Sequence, residues 1–315
     1  MRVLMLSASE VERLLDAEAL LEALADAFKA LSAGEIVAPA RGEVTAGDAG
    51  FLLTMPVYRT GQDITVKMVS VFHGNEETGV ATHQALICLF DAATGTPRCV
   101  MDGARITALR TAGAAALTIR ALAREDARTL AIIGAGTQGA AHLKLALRVR
   151  DFREIRIASR QFVHAERLAA SDERARAVPS IEQAVRGADV ICLCTNAATP
   201  VLAAEWLSPG AHVTSVGYRP PGGELDAAVI ERGHLFVETR LAFAAPPAGC
   251  GELSGRDPAS GTEIGELLLG HGPGRMTSDE ITVYKAMGHA CEDMAAASLV
   301  YRRALAEGAG LPVTL

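Results

Sequence analysis

Aromatic residues make up only 4% of the 315-residue chain, too few for the stacking platforms that hold single-stranded nucleic acid. There is no long basic run, and 37 acids against 30 bases leave a net charge of −7, which argues against a dedicated nucleic-acid binder. No uninterrupted apolar stretch of about 18 residues is present to span a membrane. The opening MRVLMLSASEVERLL meets Glu10 and Glu12 too early for the apolar core of a secretion signal. The six cysteines show no C-x-x-C spacing; Cys192 and Cys194 share one face of a predicted strand and read as buried, reduced thiols. The eight histidines show no H-E-x-x-H or similar spacing, so no metal is expected. Neither S-x-x-K nor G-x-S-x-G occurs, which leaves hydrolase chemistry without a foothold. These absences together point to a cytoplasmic, soluble protein with no nucleic-acid or membrane partner.

What is present is an ordinary globular composition, 50% hydrophobic and 21% charged. Residues 10–33 have helical periodicity and stop at Gly34. Residues 35–101 alternate short apolar runs (FLLTM, ITVKMVSVF, QALICLF, CVM) with turn residues such as D-A-A-T-G at 91–95, the pattern of a mostly antiparallel sheet. An Ala-rich helix covers 104–123. From 128 onward strands alternate with helices: RTLAIIG, IRIAS, VICLCT, AHVTSVG and HLFVET are the strands. That rhythm specifies an α/β class with a Rossmann-type, doubly wound parallel sheet, beside an α+β domain. Thr277-Ser-Asp-Glu280 reads as a capping box opening a helical region to about 308. The expected division is a first domain of residues 1–118 and 296–315 and a dinucleotide-binding domain of residues 119–295, with the last helix packing back on the first domain.

The dinucleotide signal is Leu130-Ala-Ile-Ile-Gly134-Ala-Gly136-Thr137-Gln138-Gly139, a buried strand running through G-x-G-x-x-G into a helix. The first glycine permits the tight turn, the second lets a pyrophosphate approach the backbone, and the third lets helix and strand pack closely. The helix start offers free N–H groups to the phosphates. A flavin or another nucleotide is compatible with the motif alone. The discriminating position lies about twenty residues beyond Gly139, where a carboxylate would bind the ribose hydroxyls of NAD. Here the strand ends in Ser159 and Arg160. A hydroxyl can donate to a 2′-phosphate, and a guanidinium can pair with it and stack on adenine. The residues favour NADP(H), with NAD(H) the alternative.

Three cations sit among apolar or small neighbours: Arg41 in A-P-A-R-G, Lys67 in I-T-V-K-M-V-S-V and Arg110 in I-T-A-L-R-T. A buried cation needs an anionic partner or an anionic ligand. Each alone reads as a structural ion pair; together they make a clamp for a substrate carboxylate, and Lys67 could deliver a proton. His83, in G-V-A-T-H-Q, reads as a structural turn histidine, with a catalytic acid or metal ligand the alternative.

The runs VKMVSVF, GVATHQALICLFDAATGTPRCVMDGARITALRTAGAAAL, LAIIGAGTQGAAHL, VGYRPPGGELD and SDEITVYKAMGHACEDMAAA resemble, in order and over nearly the whole chain, the ornithine cyclodeaminase/mu-crystallin family. The resemblance implies a homodimer formed through the first domain's sheet and an active site between two domains. It implies that Arg41, Lys67 and Arg110 bind the substrate carboxylate, with Lys67 also catalytic, closest to the reacting carbon. It implies cofactor contacts from Thr82, Arg110, Thr111, Thr195, Gly134, Gly136, Thr137, Gln138 and Gly139, beside Ser159 and Arg160. One departure stands out. Cyclodeaminases of the family, and the alanine dehydrogenases like them, carry G-x-D-x-P-G-K-x-E-L; this chain reads Gly217-Tyr218-Arg219-Pro220-Pro221-Gly222-Gly223-Glu224-Leu225. Tyr218 stands at the Asp position and Gly222 at the Lys position, which resembles the ketimine-reductase branch. Asp226, just beyond, is expected to cap a helix rather than replace the missing acid.

On that resemblance the chain is expected to be an oxidoreductase that uses NADPH to reduce cyclic α-imino acids, delta1-pyrroline-2-carboxylate or delta1-piperideine-2-carboxylate, to L-proline or L-pipecolate. The alternatives are ornithine cyclodeamination or amino-acid dehydrogenation with NAD, and non-catalytic binding of NADPH and a ligand in the manner of mu-crystallin. Met55, Tyr58 and Tyr218 are the candidates for side-chain selectivity.

Overall fold

The structure is a computed structural model that describes residues 2–217, 219 and 222–314. The chain divides into two compact units, Met1–Arg110 with His289–Leu315, and Thr111–Gly288. The first division falls inside the Gly103–Leu122 helix and the second just before the Ala290–Glu307 helix. The boundaries drawn from the sequence, 118/119 and 295/296, lie a few residues further along these same two helices.

The first unit is built on an eight-stranded sheet. Its strands run, edge to edge, Leu311–Thr314, Arg2–Leu6, Pro97–Asp102, His83–Phe90, Ile64–Val71, Phe51–Arg59 and Ile36–Val37, with Gly42–Thr45 also pairing Phe51–Arg59. The four strands from Phe51 to Asp102 are antiparallel neighbours, and the turn at 91–95 joins two of them, where turn residues were expected. Alternation decides which side chains go inward. Leu53, Met55, Val57 and Val69 pack with Ala290 and Met294 of the Ala290–Glu307 helix, which also lies against the Ala17–Ser32 helix. Burying each such side chain contributes about 1.5–3 kcal/mol. The periodic stretch 10–33 proves to be two helices, Ala8–Leu14 and Ala17–Ser32. Asp16 breaks it: its carboxylate accepts from Ala19 N at 3.0 Å and caps a new helix, which a leucine count does not register.

The second unit carries an eight-stranded sheet in which every pairing is parallel. Its order is Ala175–Ala177, Glu154–Ala158, Thr129–Ile133, Val190–Leu193, His212–Ser215, Ile281–Lys285, Gly233–Val237, Gly261–Glu263. The order reverses between Thr129–Ile133 and Val190–Leu193, the switch point at which doubly wound sheets bind ligands beyond the strand ends. Both faces are covered, by two separate apolar clusters. Thr129–Ile133 and Val190–Leu193 accordingly read as hydrophobic runs rather than alternations.

One expected helix is a strand. Glu280 N does donate to Thr277 Oγ1 at 3.2 Å, as a capping residue would arrange. The chain then enters Ile281–Lys285, five consecutive buried residues in the middle of the parallel sheet. The β-branched and aromatic run I-T-V-Y suits a strand buried on both faces, and that packing overrides the local cap. The helix begins only at Ala290, where His289 and Glu292 form the capping box. Among the described residues, no helix is long and apolar enough to cross a membrane.

Candidate active site

Lys67 lies mid-strand in Ile64–Val71 and points inward with Thr65 and Val69. Its cross-strand neighbours are Met55 on one side and Ile87 on the other, both buried. A lysine in this setting is costly unless its charge is met. The partner comes from the first turn of the Ala290–Glu307 helix, where Glu292 and Asp293 are fully buried. Lys67 Nζ pairs with Asp293 Oδ2 at 2.7 Å. Arg110 Nε donates to Asp293 Oδ1 at 3.1 Å, and its Nη1 to Glu292 Oε2, also at 3.1 Å. Glu292 Oε1 accepts from His289 N at 2.5 Å, so the same side chain both caps the helix and holds the arginine.

Burial, reinforced by the Arg110 charge, pulls the Lys67 ammonium down to about 8, against the opposing pull of Asp293 and Glu292. Burial pushes the Asp293 carboxyl up, but Lys67 and Arg110 outweigh it and hold it below the ordinary range. His83 opens the His83–Phe90 strand on the Lys67 side of the sheet. Burial, then Lys67 and Arg110, lower it to about 4. His289 is likewise lowered to about 4, by burial and then by Arg41, with Asp293 opposing. The structure thus gathers Lys67 and Arg110 directly, brings Arg41 to bear through His289, and adds two histidines that are neutral at neutral pH. His83 thus begins a strand rather than lying within a turn, on the face that carries Lys67. Thr82 precedes it, half-buried, with its carbonyl accepting from Phe72 N at 2.8 Å. Thr111 follows Arg110 and is buried.

Of the selectivity candidates, Met55 lies beside Lys67, whereas Tyr58 alternates to the opposite face of its strand. Tyr218 lies outside the described residues, as do Pro220 and Pro221 of the same loop.

In the second unit the glycine motif has the form a pyrophosphate requires. Gly134 has φ +101°, and a Cβ there would stand 2.4 Å from the Cys194 carbonyl oxygen. A Cβ on Gly139 would stand 2.0 Å from the Gly134 carbonyl oxygen. Gly136 caps the Thr137–Val149 helix without a side-chain hydrogen bond, leaving the first-turn N–H groups to a ligand. Thr137 is exposed, and Gln138 Oε1 is buried with no hydrogen-bond partner. Half-buried Ser159 and exposed Arg160 follow the Glu154–Ala158 strand and lead into a second helix, Phe162–Ala169, also without a side-chain cap. These residues fit a dinucleotide at the ends of adjacent strands.

Sequence reasoning used Glu224 only to align a motif, yet it organises this end of the sheet. Fully buried, it accepts five hydrogen bonds. Oε2 takes Thr195 N at 2.8 Å and Thr195 Oγ1 at 2.6 Å. Oε1 takes Ser215 Oγ at 3.0 Å, Val216 N at 3.0 Å and Gly217 N at 2.6 Å. Lys285 Nζ donates to Ser215 Oγ at 3.2 Å and to the Gly217 carbonyl at 2.7 Å, and pairs with Glu252 at 2.6 Å. Glu252 in turn accepts from Leu225 N at 2.9 Å. The loop that departs from the cyclodeaminase pattern is therefore tied down at both ends, Gly217 and Leu225. Thr195 spends its hydroxyl proton on Glu224, so any contact it makes with a cofactor uses its other atoms. Asp226 accepts from Ala228 N at 2.7 Å and caps the Ala227–Arg232 helix.

The missed groups share a cause. Glu292, Asp293, Glu224 and Glu252 are carboxylates that each meet at least one partner more than twenty residues away in sequence. The one available signal was the pair of adjacent acids in G-H-A-C-E-D-M-A-A-A, opening a helix too apolar to be solvated.

Comparison with known proteins agrees with both halves of this geometry. The profile of the ornithine cyclodeaminase/mu-crystallin family matches residues 1–308. Ketimine reductase mu-crystallin of Mus musculus is 38% identical over 304 residues, covering 94% of this chain and 96% of its own. Delta(1)-pyrroline-2-carboxylate reductase of Thermococcus litoralis, solved with NADH and L-proline, superposes with a TM-score of 0.91 at 30% identity, covering 99% of this chain and all of the other. An archaeal alanine dehydrogenase dimer with bound NAD superposes with a TM-score of 0.88 at 29% identity, over the full length of both chains. A buried lysine–arginine–carboxylate cluster on one sheet, a dinucleotide loop on another and these full-length matches have one consistent reading: the chain belongs to the ornithine cyclodeaminase/mu-crystallin family.

Proposed function

We propose that this protein is an NADPH-dependent reductase of cyclic α-imino acids. The chain is an oxidoreductase that acts on carbon–nitrogen bonds with a nicotinamide cofactor, and the proposal adds its substrate and its cofactor preference. The observation that carries it is the Lys67–Asp293–Arg110 cluster beside Met55 and Ile87: cationic groups for a carboxylate, next to an apolar wall for a ring. Arg110, with Arg41, would hold the substrate carboxylate. The Lys67 ammonium would lie near the ring nitrogen and C2, fixing the orientation of the C=N group. When bound, the reduced nicotinamide supplies the hydride that C2 accepts. A cyclic imine arrives protonated on nitrogen, so its own N–H balances the reduction to the secondary amine and no strong protein acid is needed. Tyr218 at the position where cyclodeaminases carry Asp accords with that economy. Holding the reactants in one geometry supplies much of the rate.

Ser159 and Arg160 support NADPH over NADH. Absorbance of the reduced cofactor, followed with pyrroline-2-carboxylate and piperideine-2-carboxylate, tests the assignment. Oxidation of NADPH supports it; ammonia release from ornithine with NAD+ would indicate a cyclodeaminase, and tight NADPH binding without turnover a binder. Arg160→Ala is expected to weaken NADPH by about 1.5–3 kcal/mol, the worth of a charged hydrogen bond, and to leave NADH within about twofold. Equal effects on both cofactors would remove Arg160 from the preference.

The outer face of the first unit's sheet supports a homodimer. Leu52 and Leu86 are 37% and 50% exposed there, and Leu86 stands directly opposite Met68. Exposed leucines on a sheet face are apolar surface of the kind that association covers. Leu86→Glu should convert a dimer to a monomer in light scattering; an unchanged mass would place the interface elsewhere.

A further inference from the structure

We propose that Asp293 is a positioning residue for the reaction, its two oxygens, one on Lys67 Nζ and the other on Arg110 Nε, keeping the Lys67 amine protonated and aimed at the substrate. The inference rests on the function proposed above and deepens it. A plain structural ion pair would join each cation to its own carboxylate. Glu292 already pairs with Arg110, yet Asp293 bridges both cations, at 2.7 Å and 3.1 Å, and all four side chains are buried. Two like charges are thereby held side by side in one buried cluster, where their repulsion and burial favour loss of a proton from one of them. Lysine is the one that can yield, since arginine stays charged.

The charged and titratable groups around Lys67 come from every element packed on its strand. The Ala290–Glu307 helix and its cap supply Asp293, Glu292 and His289. The Gly103–Leu122 helix supplies Arg110, and the neighbouring strand supplies His83. Arg41 acts on His289. Both histidines titrate at about 4 and stay neutral across the range in which Lys67 titrates, about 8. Asp293 is the group that both touches Lys67 and favours its charged form.

The test compares Asp293→Asn with the wild type as a ratio of kcat/KM across about pH 6 to 9, in which the imine's own titration cancels. Removing the charge lowers the lysine's proton affinity, so the alkaline limb should move at least about one pH unit toward acid. The ratio should then fall with rising pH and become flat when Lys67→Arg, which does not titrate, is present in both proteins. Asp293→Glu should return the limb to its wild-type position. A loss that is uniform at every pH would mean a merely structural role and overturn the proposal. If D293N does not fold, the limb must vanish in K67R and stay within about half a pH unit of the wild type in D293E; failure of either overturns it. Calorimetric binding of pyrrole-2-carboxylate, a planar and unreactive ring acid, over the same pH range reads the same limb without turnover. A chain that reduces no imino acid can therefore still pass or fail.

Discussion

Lys67→Ala is expected to lower kcat/KM for imino-acid reduction by about 10²–10⁴-fold while NADPH binding stays within about twofold. At 1.36 kcal/mol per factor of ten, that is about 3–5 kcal/mol of transition-state stabilisation. The expectation follows from where the amine lies. It is buried between Met55 and Ile87, joined to Asp293 at 2.7 Å, and no other described lysine shares that face of the sheet. The substitution also removes one of the two cations on Asp293, leaving Arg110 to hold it alone. Some loss of stability will accompany the loss of rate, so the variant must be assayed where its unfolding curve shows it native. Lys67→Met, closer in volume, separates the two effects: it restores packing but no charge, and turnover should stay as low as in the alanine variant. Turnover within about threefold of the wild type in either protein would take Lys67 out of the mechanism.

The second large effect is expected in the second unit. Glu224→Ala strips the acceptor from three backbone N–H groups and two hydroxyls, all facing one buried carboxylate. An unsatisfied buried donor costs about 1–3 kcal/mol, and the hydroxyls can turn elsewhere, so a loss of about 4–6 kcal/mol is expected. That is a large part of the net stability of a typical domain. Glutamine is no conservative replacement. Oε1 receives three donors and Oε2 two, so an amide placed either way round points its NH2 at donors. Glu224→Gln should lose at least about half as much as the alanine variant in urea unfolding, and NADPH affinity should fall with the loosening of Thr195. A glutamine variant within about 0.5 kcal/mol of the wild type would show that water or rearrangement satisfies the site.

Much of the second unit was legible in the chain because its signals are local. Gly134, Gly136 and Gly139 lie within six residues of sequence: Gly134 takes a positive φ, Gly136 opens the helix, and a Cβ on Gly139 would meet the Gly134 carbonyl. The strands RTLAIIG, IRIAS and VICLCT announce themselves because burial on both faces makes their central residues mostly apolar. Short-range rules failed where two of them competed. Thr277 and Glu280 form a cap-like hydrogen bond, yet the residues that follow complete a parallel sheet. Asp16 looked like one polar residue in a leucine-rich run and instead divides it in two.

The first unit's chemistry was half legible. Lys67 and Arg110 were conspicuous as cations among apolar neighbours, and that oddity alone demanded an anion. It could not say which. Arg110 and Asp293 are 183 residues apart, and their meeting depends on a helix from the end of the chain lying across strands from its first third. Register makes the choice: a slip of one residue along Ile64–Val71 would turn Lys67 outward and Met68 in.

The sequence by itself determined the parallel, dinucleotide-type architecture, the phosphate loop, the Ser159–Arg160 end of its second strand and the cationic side chains, since each rests on the identities of adjoining residues. Only the tertiary structure decided that Asp293 and Glu292 neutralise Lys67 and Arg110, and that Glu224 ties Thr195 to Gly217. Buried charges are matched across space by packing, and no rule of spacing along the chain specifies that match.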